Sequence, residues 1–379
     1  MIKEVPAIDD QRIKIMTQKR IKITTVFFLF AFMFSALITC EKDNPPDSRY
    51  PEATAQNFDV LQLGQAIDDL ADIPGFRSIV VGRNGVIAAE EYYNNSGPDS
   101  LHDLRSVAKS VMGLLTGIAI REGFIQSVDQ TIGEFLIGTV VNSLTPDKAR
   151  ITIEQLLNMS CGLEWHELDG GTSYDEWFVS DDHVQWVLDQ AFIHLPGDGF
   201  NYNTGSSYLL SVLLYQATGQ DVSDFARQYL FEPMGIDHIE WDYVPRGGIY
   251  NNGGAGITIS PHTMFAIGNL VLNGGNWDQN QIVPEDWIHQ CISNQNETTG
   301  TFPPYSDHYG YLWWIGQAHG HDHFFAMGWG GQFLVCVPDF QLVVAAACQW
   351  GGISVDQASQ NLFDIFMIIM DDIITAMNE

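Results

Sequence analysis

Short apolar runs typical of β-strands lie near both ends of the chain. Residues 78–82 and 86–90 flank an Asn-Gly pair at 84–85, and such a pair between two apolar runs predicts a β-hairpin. Three later runs are also predicted to be strands: 311–315, 332–337 and 342–347. The sheet is therefore expected to draw its strands from both ends of the chain.

Helical spacing of apolar residues is clearest in residues 104–122, and Gly123 supplies a natural stop. Shorter helical patterns, broken by Gly, Pro and Asn, fill the stretch from about 126 to 246. Five further helices are predicted at 153–159, 182–190, 206–218, 261–273 and 356–377. These patterns predict an α/β (α+β) fold, with an antiparallel sheet flanked by helices and an all-helical lobe inserted at about 126–246.

The first forty residues have the layout of an export signal. Basic residues precede an apolar run at 23–39, which ends at Cys40. The segment Leu37-Ile38-Thr39-Cys40 resembles a bacterial lipobox, although Thr39 is larger than the residue usual before the cysteine. We expect residues 1–39 to be removed as a lipoprotein-type signal peptide and Cys40 to be lipidated. A cleaved soluble form and a retained single membrane helix are the alternatives.

The remaining boundaries follow from this interpretation. Polar residues after Cys40 predict a tether at 40–57, followed by the main folded domain at 58–355. Residues 356–379 are expected to form a C-terminal helix that packs on the sheet. Composition leaves the oligomeric state open.

Charge excludes one class of partner. The 379 residues include 47 acidic and 17 basic ones, which gives a formal net charge of −30. Such a field repels phosphate backbones and anionic lipid surfaces, so nucleic acid is not an expected partner, and membrane contact is expected only through the lipid anchor. The four remaining cysteines are too irregularly spaced for a disulfide scaffold or a zinc site, and we expect them to be buried: Cys161, Cys291, Cys336 and Cys348.

The pair Ser106 and Lys109 carries the first candidate chemistry. Residues three apart on a helix share one face, so both side chains are expected to reach one site. A serine hydroxyl needs a base to become a nucleophile, and a buried lysine can be that base because burial disfavours its charged form. Such pairs are common on helix surfaces. However, only three lysines follow the signal segment, and Lys109 is the one on an otherwise apolar helix, which favours a functional role.

At this point the chain resembles the serine β-lactamase and penicillin-binding superfamily. The segment 104–110, Leu-Arg-Ser-Val-Ala-Lys-Ser, is similar to the active-site segment of its branch of class C β-lactamases, family VIII esterases and 6-aminohexanoate-dimer hydrolase-like enzymes. Segments 151–163, 196–205 and 253–260 resemble later segments of the family in the same order. The resemblance spans roughly residues 60–350 and implies a β-lactamase/transpeptidase-like fold, with Ser106 as nucleophile and Lys109 as general base.

The second motif of that family is Tyr-x-Asn, and Tyr202 occupies its tyrosine position. The resemblance implies that Tyr202 relays a proton between nucleophile, base and leaving group. Thr204 stands where the family has asparagine, so a hydroxyl replaces the amide that often binds substrate. We expect Thr204 to contact substrate, and the change argues against β-lactams as substrates.

The third motif is usually Lys-Thr-Gly or His-Thr-Gly on an inner strand, and Ala326-Met327-Gly328 matches it best. The cation is therefore missing, as it often is in esterase and amidase relatives. The resemblance implies that the backbone N–H of Trp329 pairs with that of Ser106 as an oxyanion hole. Gly328 and Gly330 are expected to let substrate approach the strand closely.

The segment His319-Gly320-His321-Asp322-His323 contains zinc-binding residue types. Its spacing matches a metallo-hydrolase motif only loosely, so we expect an exposed loop or an adventitious metal site, in a turn before the inner strand, rather than a metallo-hydrolase centre.

Together these features predict a serine hydrolase that acts through an acyl-enzyme on a small ester, amide or peptide, without metal or organic cofactor. The alternatives are a β-lactamase or D-alanyl-D-alanine carboxypeptidase, which the missing cation disfavours, and a non-catalytic scaffold that has kept the fold.

Overall fold

An eight-stranded antiparallel sheet lies at the centre of the computed structural model, which describes residues 49–298 and 303–378. The order of its strands is β2-β1-β13-β12-β11-β10-β9-β8. They are β1 Phe76–Arg83, β2 Val86–Tyr92, β8 Asn296–Glu297, β9 His308–Tyr309, β10 Trp314–Ala318, β11 His321–Gly328, β12 Gln332–Val337 and β13 Leu342–Cys348. The remaining strands form two small sheets, β3-β5-β4 and β6-β7: β3 His102–Asp103, β4 Glu240–Trp241, β5 Ile257–Ile259, β6 Asn276–Trp277 and β7 Asn280–Gln281.

The sheet joins the two ends of the chain through β1 and β13. Val80 lies opposite Ala345 in this antiparallel pair. Every residue of β13 is buried, so its unbroken apolar run reflects cover on both faces of the sheet. This pairing confirms the prediction that the strands come from both ends of the chain.

Thirteen α-helices surround the sheet in the described residues. They are α1 Pro51–Ala55, α2 Val60–Ala71, α3 Val107–Arg121, α4 Ile132–Leu136, α5 Pro146–Ala149, α6 Ile153–Leu157, α7 Ser173–Phe178, α8 His183–Asp189, α9 Thr204–Thr218, α10 Val222–Ala226, α11 Pro261–Leu272, α12 Glu285–Cys291 and α13 Val355–Met367. A π-helical segment, Ile368–Ile373, continues α13. None of the helices described is both long and apolar enough to cross a membrane.

Alternate residues of the sheet contact helices on its two faces. Gly268 of α11 lies against Val343 and Cys336, so closely that a Cβ at Gly268 would come within 2.5 Å of Val343. On the opposite face, Phe366 of α13 stacks on Phe333 with ring centroids 5.2 Å apart. Because successive side chains of β12 point to opposite faces of the sheet, this strand contributes to the core on both sides.

The stretch between residues 126 and 246 contains the helices α4–α10 and, near its end, the short strand β4. Its longest helix, α9, begins at the N-cap Asn203, whose side chain accepts from the amide of Ser206, and ends at Gly219 in the left-handed conformation. α9 packs against α3, so the lobe and the helix that carries Ser106 meet directly.

Two predicted boundaries were wrong. The run at 311–315 becomes a strand only from Trp314, because Leu312 adopts a left-handed φ of 64° and its amide donates to the carbonyl of Leu157. The expected turn at 319–323 is confined to its first two residues, since β11 starts at His321. The first residues of β11 do not alternate regularly between polar and apolar, so the sequence pattern did not predict that the strand starts there.

The four described cysteines are all buried and unpaired, as predicted: Cys161, Cys291, Cys336 and Cys348. The predicted signal peptide, Cys40 and the tether as far as residue 48 lie outside the described residues. The other half of the predicted tether is folded: Pro51–Ala55 forms α1, and Tyr50 and Ala53 are buried.

Candidate active site

Ser106 is the N-cap of α3, directly after a strained turn. The strand β3 pairs with β5, and the amide of Leu104 donates to the carbonyl of Ile257 at 3.0 Å. Arg105 follows with a left-handed φ of 51°, and its amide donates to Asp103 Oδ1 at 2.9 Å. A left-handed arginine is uncommon, and this turn places Ser106 where the chain enters the helix.

Lys109 lies one turn later and is fully buried. Its Nζ is 2.8 Å from Ser106 Oγ and 2.8 Å from the carbonyl oxygen of Gly254. A Cβ at Gly254 would come within 2.5 Å of Thr204, so a larger residue would not fit in this loop. The sequence spacing and the absence of a side chain at Gly254 therefore hold the amine next to the hydroxyl.

Burial lowers the pKa of Lys109 to about 8. The negative charge of Glu167 acts in the opposite direction and raises this pKa, while the Arg105 guanidinium lowers it further. A lysine with a pKa near 8 is partly neutral at physiological pH, so its amine can accept a proton from Ser106.

Tyr202 immediately precedes the N-cap of α9 and is buried beside the same amine. Lys109 Nζ lies 4.9 Å from the centroid of its ring, which stacks on Trp314 with an interplanar angle of 20°. Burial and the charge of Glu167 raise the pKa of Tyr202, and an interaction with Ser106 partly opposes this rise. Tyr202 therefore keeps its proton near neutral pH and can donate it to a leaving group.

Thr204 is completely buried at the first position of α9. Its hydroxyl donates to Glu167 Oε1 at 3.0 Å, and its amide donates to Glu167 Oε2 at 3.3 Å. The residue predicted to contact substrate thus holds a carboxylate at the edge of the site.

The end of β11 runs past the segment that precedes Ser106. A Cβ at Gly328 would lie 2.2 Å from the carbonyl oxygen of Leu104, so only glycine permits this approach. Trp329 and Gly330 form the following turn, and Gly330 packs against Trp350. In the part of the chain that the structure describes, the backbone N–H groups of Ser106 and Trp329 donate to no other group. Both amides are therefore available to a substrate oxygen.

The Arg105 side chain contacts three other side chains beside the turn. Its guanidinium lies 4.3 Å from the ring centroid of Trp350, 3.2 Å from the Tyr174 hydroxyl and 3.8 Å from an oxygen of Asp103. These contacts join the turn before Ser106 to α7, which carries Tyr174.

The histidine-rich segment does not form one site. His319 binds Asp371 at 3.1 Å, and His321 binds Asp339 at 2.9 Å. His323 is buried, which lowers its pKa to about 4. No group of three or more metal-binding side chains occurs among the residues described.

Sequence reasoning missed Glu167 and the Gly254 carbonyl. Glu167 contacts Thr204 across 37 positions of the chain and lies on a loop without periodicity, so no local pattern marks it. In the sequence, Glu167 is marked only by lying two residues after Trp165. In the structure, the indole N–H of Trp165 donates to the Glu167 carboxylate at 2.7 Å.

This geometry combines the parts required for acyl transfer. A hydroxyl contacts an amine of lowered pKa, a protonated phenol lies beside both, and two backbone N–H groups lack internal acceptors.

Comparison with known proteins agrees with the geometry. A family model described as Beta-lactamase matches residues 63–364. The chain is 25% identical over 298 residues to the 6-aminohexanoate-dimer hydrolase of Paenarthrobacter ureafaciens. This alignment covers 72% of each chain.

Solved structures share the fold at low identity. An octameric penicillin-binding protein homologue from Pyrococcus abyssi aligns with a TM-score of 0.63 and 17% identity, over 80% of this chain and 76% of its own. EstCE1, a hydrolase with promiscuous acyltransferase activity, aligns with a TM-score of 0.60 and 16% identity, over 82% of this chain and 97% of its own.

Proposed function

Because this chain belongs to the beta-lactamase family, we propose that it is a serine hydrolase that cleaves a carboxylic ester or amide through an acyl-enzyme on Ser106. The names of its relatives, a 6-aminohexanoate-dimer hydrolase and a hydrolase with promiscuous acyltransferase activity, support hydrolysis and acyl transfer. The observation that carries the proposal is the 2.8 Å separation of Lys109 Nζ from Ser106 Oγ in a buried site.

Acylation begins when the neutral amine of Lys109 accepts the Ser106 proton while Oγ bonds to the substrate carbonyl carbon. The carbonyl oxygen then carries the negative charge and binds the N–H groups of Ser106 and Trp329. When the bond to the leaving group breaks, Tyr202 donates its proton to that group and recovers a proton from the Lys109 ammonium.

Deacylation repeats these steps with water. Lys109, neutral again after acylation, accepts a proton from the water while the water oxygen bonds to the acyl carbon. Ser106 Oγ then regains a proton as the carboxylic acid leaves. The proton that leaves with the first product is replaced by the one taken from water, so Ser106, Lys109 and Tyr202 return to their starting states and the proposed cycle balances.

Covalent labelling tests the nucleophile. We expect a fluorophosphonate to add one equivalent of phosphonyl group, with the modified peptide mapping to Ser106 by mass spectrometry. Ser106→Ala should show neither adduct nor hydrolysis of p-nitrophenyl esters. Ser359→Ala is the matched control, because Ser359 lies exposed on α13. Unchanged hydrolysis by Ser106→Ala would refute the proposal.

The alternative activities predict other outcomes. A β-lactamase or D-alanyl-D-alanine carboxypeptidase would need a cation for the substrate carboxylate, yet the third-motif strand carries Ala326 and Met327. We therefore expect p-nitrophenyl esters and simple amides to be better substrates than penicillins or D-alanyl peptides. A non-catalytic scaffold would form no adduct with the fluorophosphonate.

We also propose that the protein is exported and held at a membrane surface through a lipid on Cys40. The signal-like run at 23–39 and the lipobox-like segment that ends at Cys40 support this location. In a bacterial host, the protein should incorporate labelled palmitate and sediment with membranes, and Cys40→Ala should do neither. Equal labelling of both proteins would contradict the anchor.

A further inference from the structure

Arg105 adopts a backbone conformation that is usual only for glycine and asparagine. Its φ of 51° lies in the left-handed region, where an ordinary side chain is strained. Asp103 stabilises the turn, since its carboxylate accepts from the Arg105 amide at 2.9 Å. A glycine at this position would avoid the strain. The arginine side chain is therefore expected to serve a function that compensates for it.

The peptide bond after Arg105 carries one of the two proposed oxyanion donors. The Arg105 carbonyl oxygen accepts from the amide of Ala108 at 3.1 Å. In a trans peptide the C=O and N–H groups point in opposite directions, so the N–H of Ser106 points away from the first turn of α3. The backbone angles of Arg105 therefore determine the direction of this donor.

The second proposed donor is arranged in the same way. The carbonyl oxygen of Gly328 accepts from the amide of Gly331 at 3.3 Å, so the N–H of Trp329 points out of that turn. Trp350 packs against the turn so closely that a Cβ at Gly330 would lie 2.5 Å from the Cβ of Trp350. Trp350 thus supports the segment that holds the second donor.

The guanidinium of Arg105 contacts both segments and the helical lobe. It lies 4.3 Å from the ring centroid of Trp350 and 5.6 Å from that of Tyr174. It also donates to the Tyr174 hydroxyl at 3.2 Å, and Asp103 Oδ2 lies 3.8 Å away. Tyr174 is stacked in turn on Phe178, with ring centroids 5.6 Å apart. A planar guanidinium can stack on an aromatic ring and donate in its own plane, so these contacts restrain one side chain from several directions.

We propose that Arg105 is a positioning residue of the oxyanion hole: contacts of its guanidinium hold the strained backbone that directs the Ser106 N–H, and Trp350 extends this restraint to the turn of Trp329. This inference rests on the proposed hydrolase function and names a residue on which its transition state depends. Arg105 acts through the two N–H groups. Donors that are held in place before the substrate arrives stabilise the developing negative charge without reorganisation.

Exchange of one substrate atom isolates the contacts of the oxyanion. In p-nitrophenyl thionoacetate, C=S replaces the C=O of p-nitrophenyl acetate, and sulfur is the weaker hydrogen-bond acceptor. The measured quantity is the ratio of kcat/KM for the oxygen ester to kcat/KM for the thionoester. It is measured at pH 9, above the pKa of about 8 of Lys109. We expect a ratio of about 10² or more in the wild type, the effect of one oxyanion donor.

Arg105→Gly should lower this ratio about tenfold or more, because a misdirected N–H contributes less to the transition state. Glycine adopts the left-handed conformation without strain, so the chain can still form the turn, but the contacts that fix it are lost. Both esters use the same serine and the same base. The ratio therefore cancels any general effect of the substitution on folding or on Lys109.

Arg246→Gly is the matched control. Arg246 also has a left-handed φ, of 55°, but its side chain is exposed and pairs with Asp181 at 3.5 Å. The same exchange is therefore made at a similar backbone conformation outside the site. The ratio of Arg246→Gly should equal that of the wild type.

Further variants separate the contacts of Arg105 from its charge. Arg105→Lys keeps the positive charge but loses the planar group that stacks and donates, so the ratio should fall nearly as far as in Arg105→Gly. Trp350→Leu removes the ring beneath the guanidinium and should also lower the ratio. Trp350→Phe keeps an aromatic face, so its ratio should lie closer to that of the wild type.

A purely electrostatic role of Arg105 gives a different result. Its charge lowers the pKa of Lys109, whereas Glu167 raises this pKa, and the phenol of Tyr202 lies beside the same amine. If Arg105 acted only through its charge, Arg105→Gly would move the pH profile of kcat/KM to higher pH and leave the ratio unchanged. Arg105→Lys would then resemble the wild type in both measurements. This pair of results would overturn the positioning role.

The remaining failures can be distinguished. A wild-type ratio near one, or a wild-type ratio in both Arg105→Gly and Arg105→Lys, would overturn the inference while hydrolysis through Ser106 stands. If Arg105→Gly does not fold, the ratios of Arg105→Lys and Trp350→Leu decide the question. If the wild type hydrolyses neither ester and forms no fluorophosphonate adduct at Ser106, the proposed function fails, and this inference fails with it.

Discussion

Lys109 donates to the backbone carbonyl of Gly254 at the same distance, 2.8 Å, that separates it from Ser106 Oγ. A carbonyl oxygen can only accept, so this contact always uses one amine hydrogen. When Lys109 is neutral, its lone pair can therefore be directed toward the Ser106 hydroxyl. Gly254 orients the proposed base, and its backbone makes the contact without any side chain.

The activity should depend on the protonation state of Lys109. Its pKa of about 8 lies below the ordinary lysine value because of burial, and only the neutral amine accepts a proton. For a neutral ester, kcat/KM should rise about tenfold per pH unit below pH 8 and level off above it. Stopped assays between pH 5.5 and pH 9.5 measure this profile. A flat profile across pH 8 would exclude Lys109 as the base.

Glu167→Gln should move that profile to lower pH. The carboxylate raises the pKa of Lys109, so its removal lowers the pH at which half of the amine is neutral. The pH at which kcat/KM reaches half of its plateau is measured with the same neutral ester. The control Glu164→Gln, whose native carboxylate pairs with His166 at the surface, should have the same midpoint pH as the wild type. A shift to higher pH would show that the charge acts on another group.

Tyr202→Phe should affect amides more than activated esters. p-Nitrophenolate leaves without a proton, whereas an amine leaving group must be protonated, and the phenol of Tyr202 lies beside Lys109. We expect kcat/KM for a p-nitroanilide or simple amide to fall by about 10²–10⁴, and that for the p-nitrophenyl ester to fall much less. Equal losses on both substrates would argue against proton donation to the leaving group.

Lys109→Met should abolish activity and change stability with pH. In the folded state the lysine has a pKa of about 8, below the value of about 10.4 for an exposed lysine. The unfolded state therefore binds more protons between these values, and the wild type gains stability as the pH rises through them. Below pH 8 the wild type buries a charge, so Lys109→Met should be relatively more stable there.

Urea unfolding of both proteins at pH 6.5 and pH 10 measures this difference. The advantage of Lys109→Met should shrink by about 2–3 kcal/mol at the higher pH, the free energy of a shift of roughly two pKa units. An advantage that is independent of pH would mean that Lys109 is already neutral at pH 6.5.

Gly328→Ala should damage the proposed oxyanion hole. The added Cβ would lie 2.2 Å from the carbonyl oxygen of Leu104, which belongs to backbone and cannot rotate away. β11 must then shift from the Ser106 segment, and Trp329 moves with it. We expect a fall in kcat of about 10²–10³, the effect of losing one oxyanion donor. Gly351→Ala is the control, because a Cβ there meets nothing within 4 Å.

The parts of the site that sequence could predict depend on local spacing. Ser106 and Lys109 are one helical turn apart, so their contact follows from the helix alone. Tyr202 was identified by its resemblance to a family motif, and α9 places it beside Lys109. The roles of these residues stay predictions until they are labelled and substituted.

The remaining parts depend on contacts between distant segments. Glu167 meets Thr204 only because a loop of the helical lobe folds over the start of α9. In the same way, β11 begins at His321 because its first three residues pair with β10, where Ala318 lies opposite His321. This pairing with a neighbouring strand outweighs the polar residues at the start of β11, and the sequence of the segment alone does not predict it.

The pairing of β1 with β13 has a consequence for biosynthesis. About 260 residues separate the two strands, so the long edge of the β1-β2 hairpin has no partner until almost the entire polypeptide has been made. A ribosome stalled before residue 342 would leave that edge open to other chains. The molecule is thus suited to a route in which the nascent chain is kept unfolded until synthesis ends.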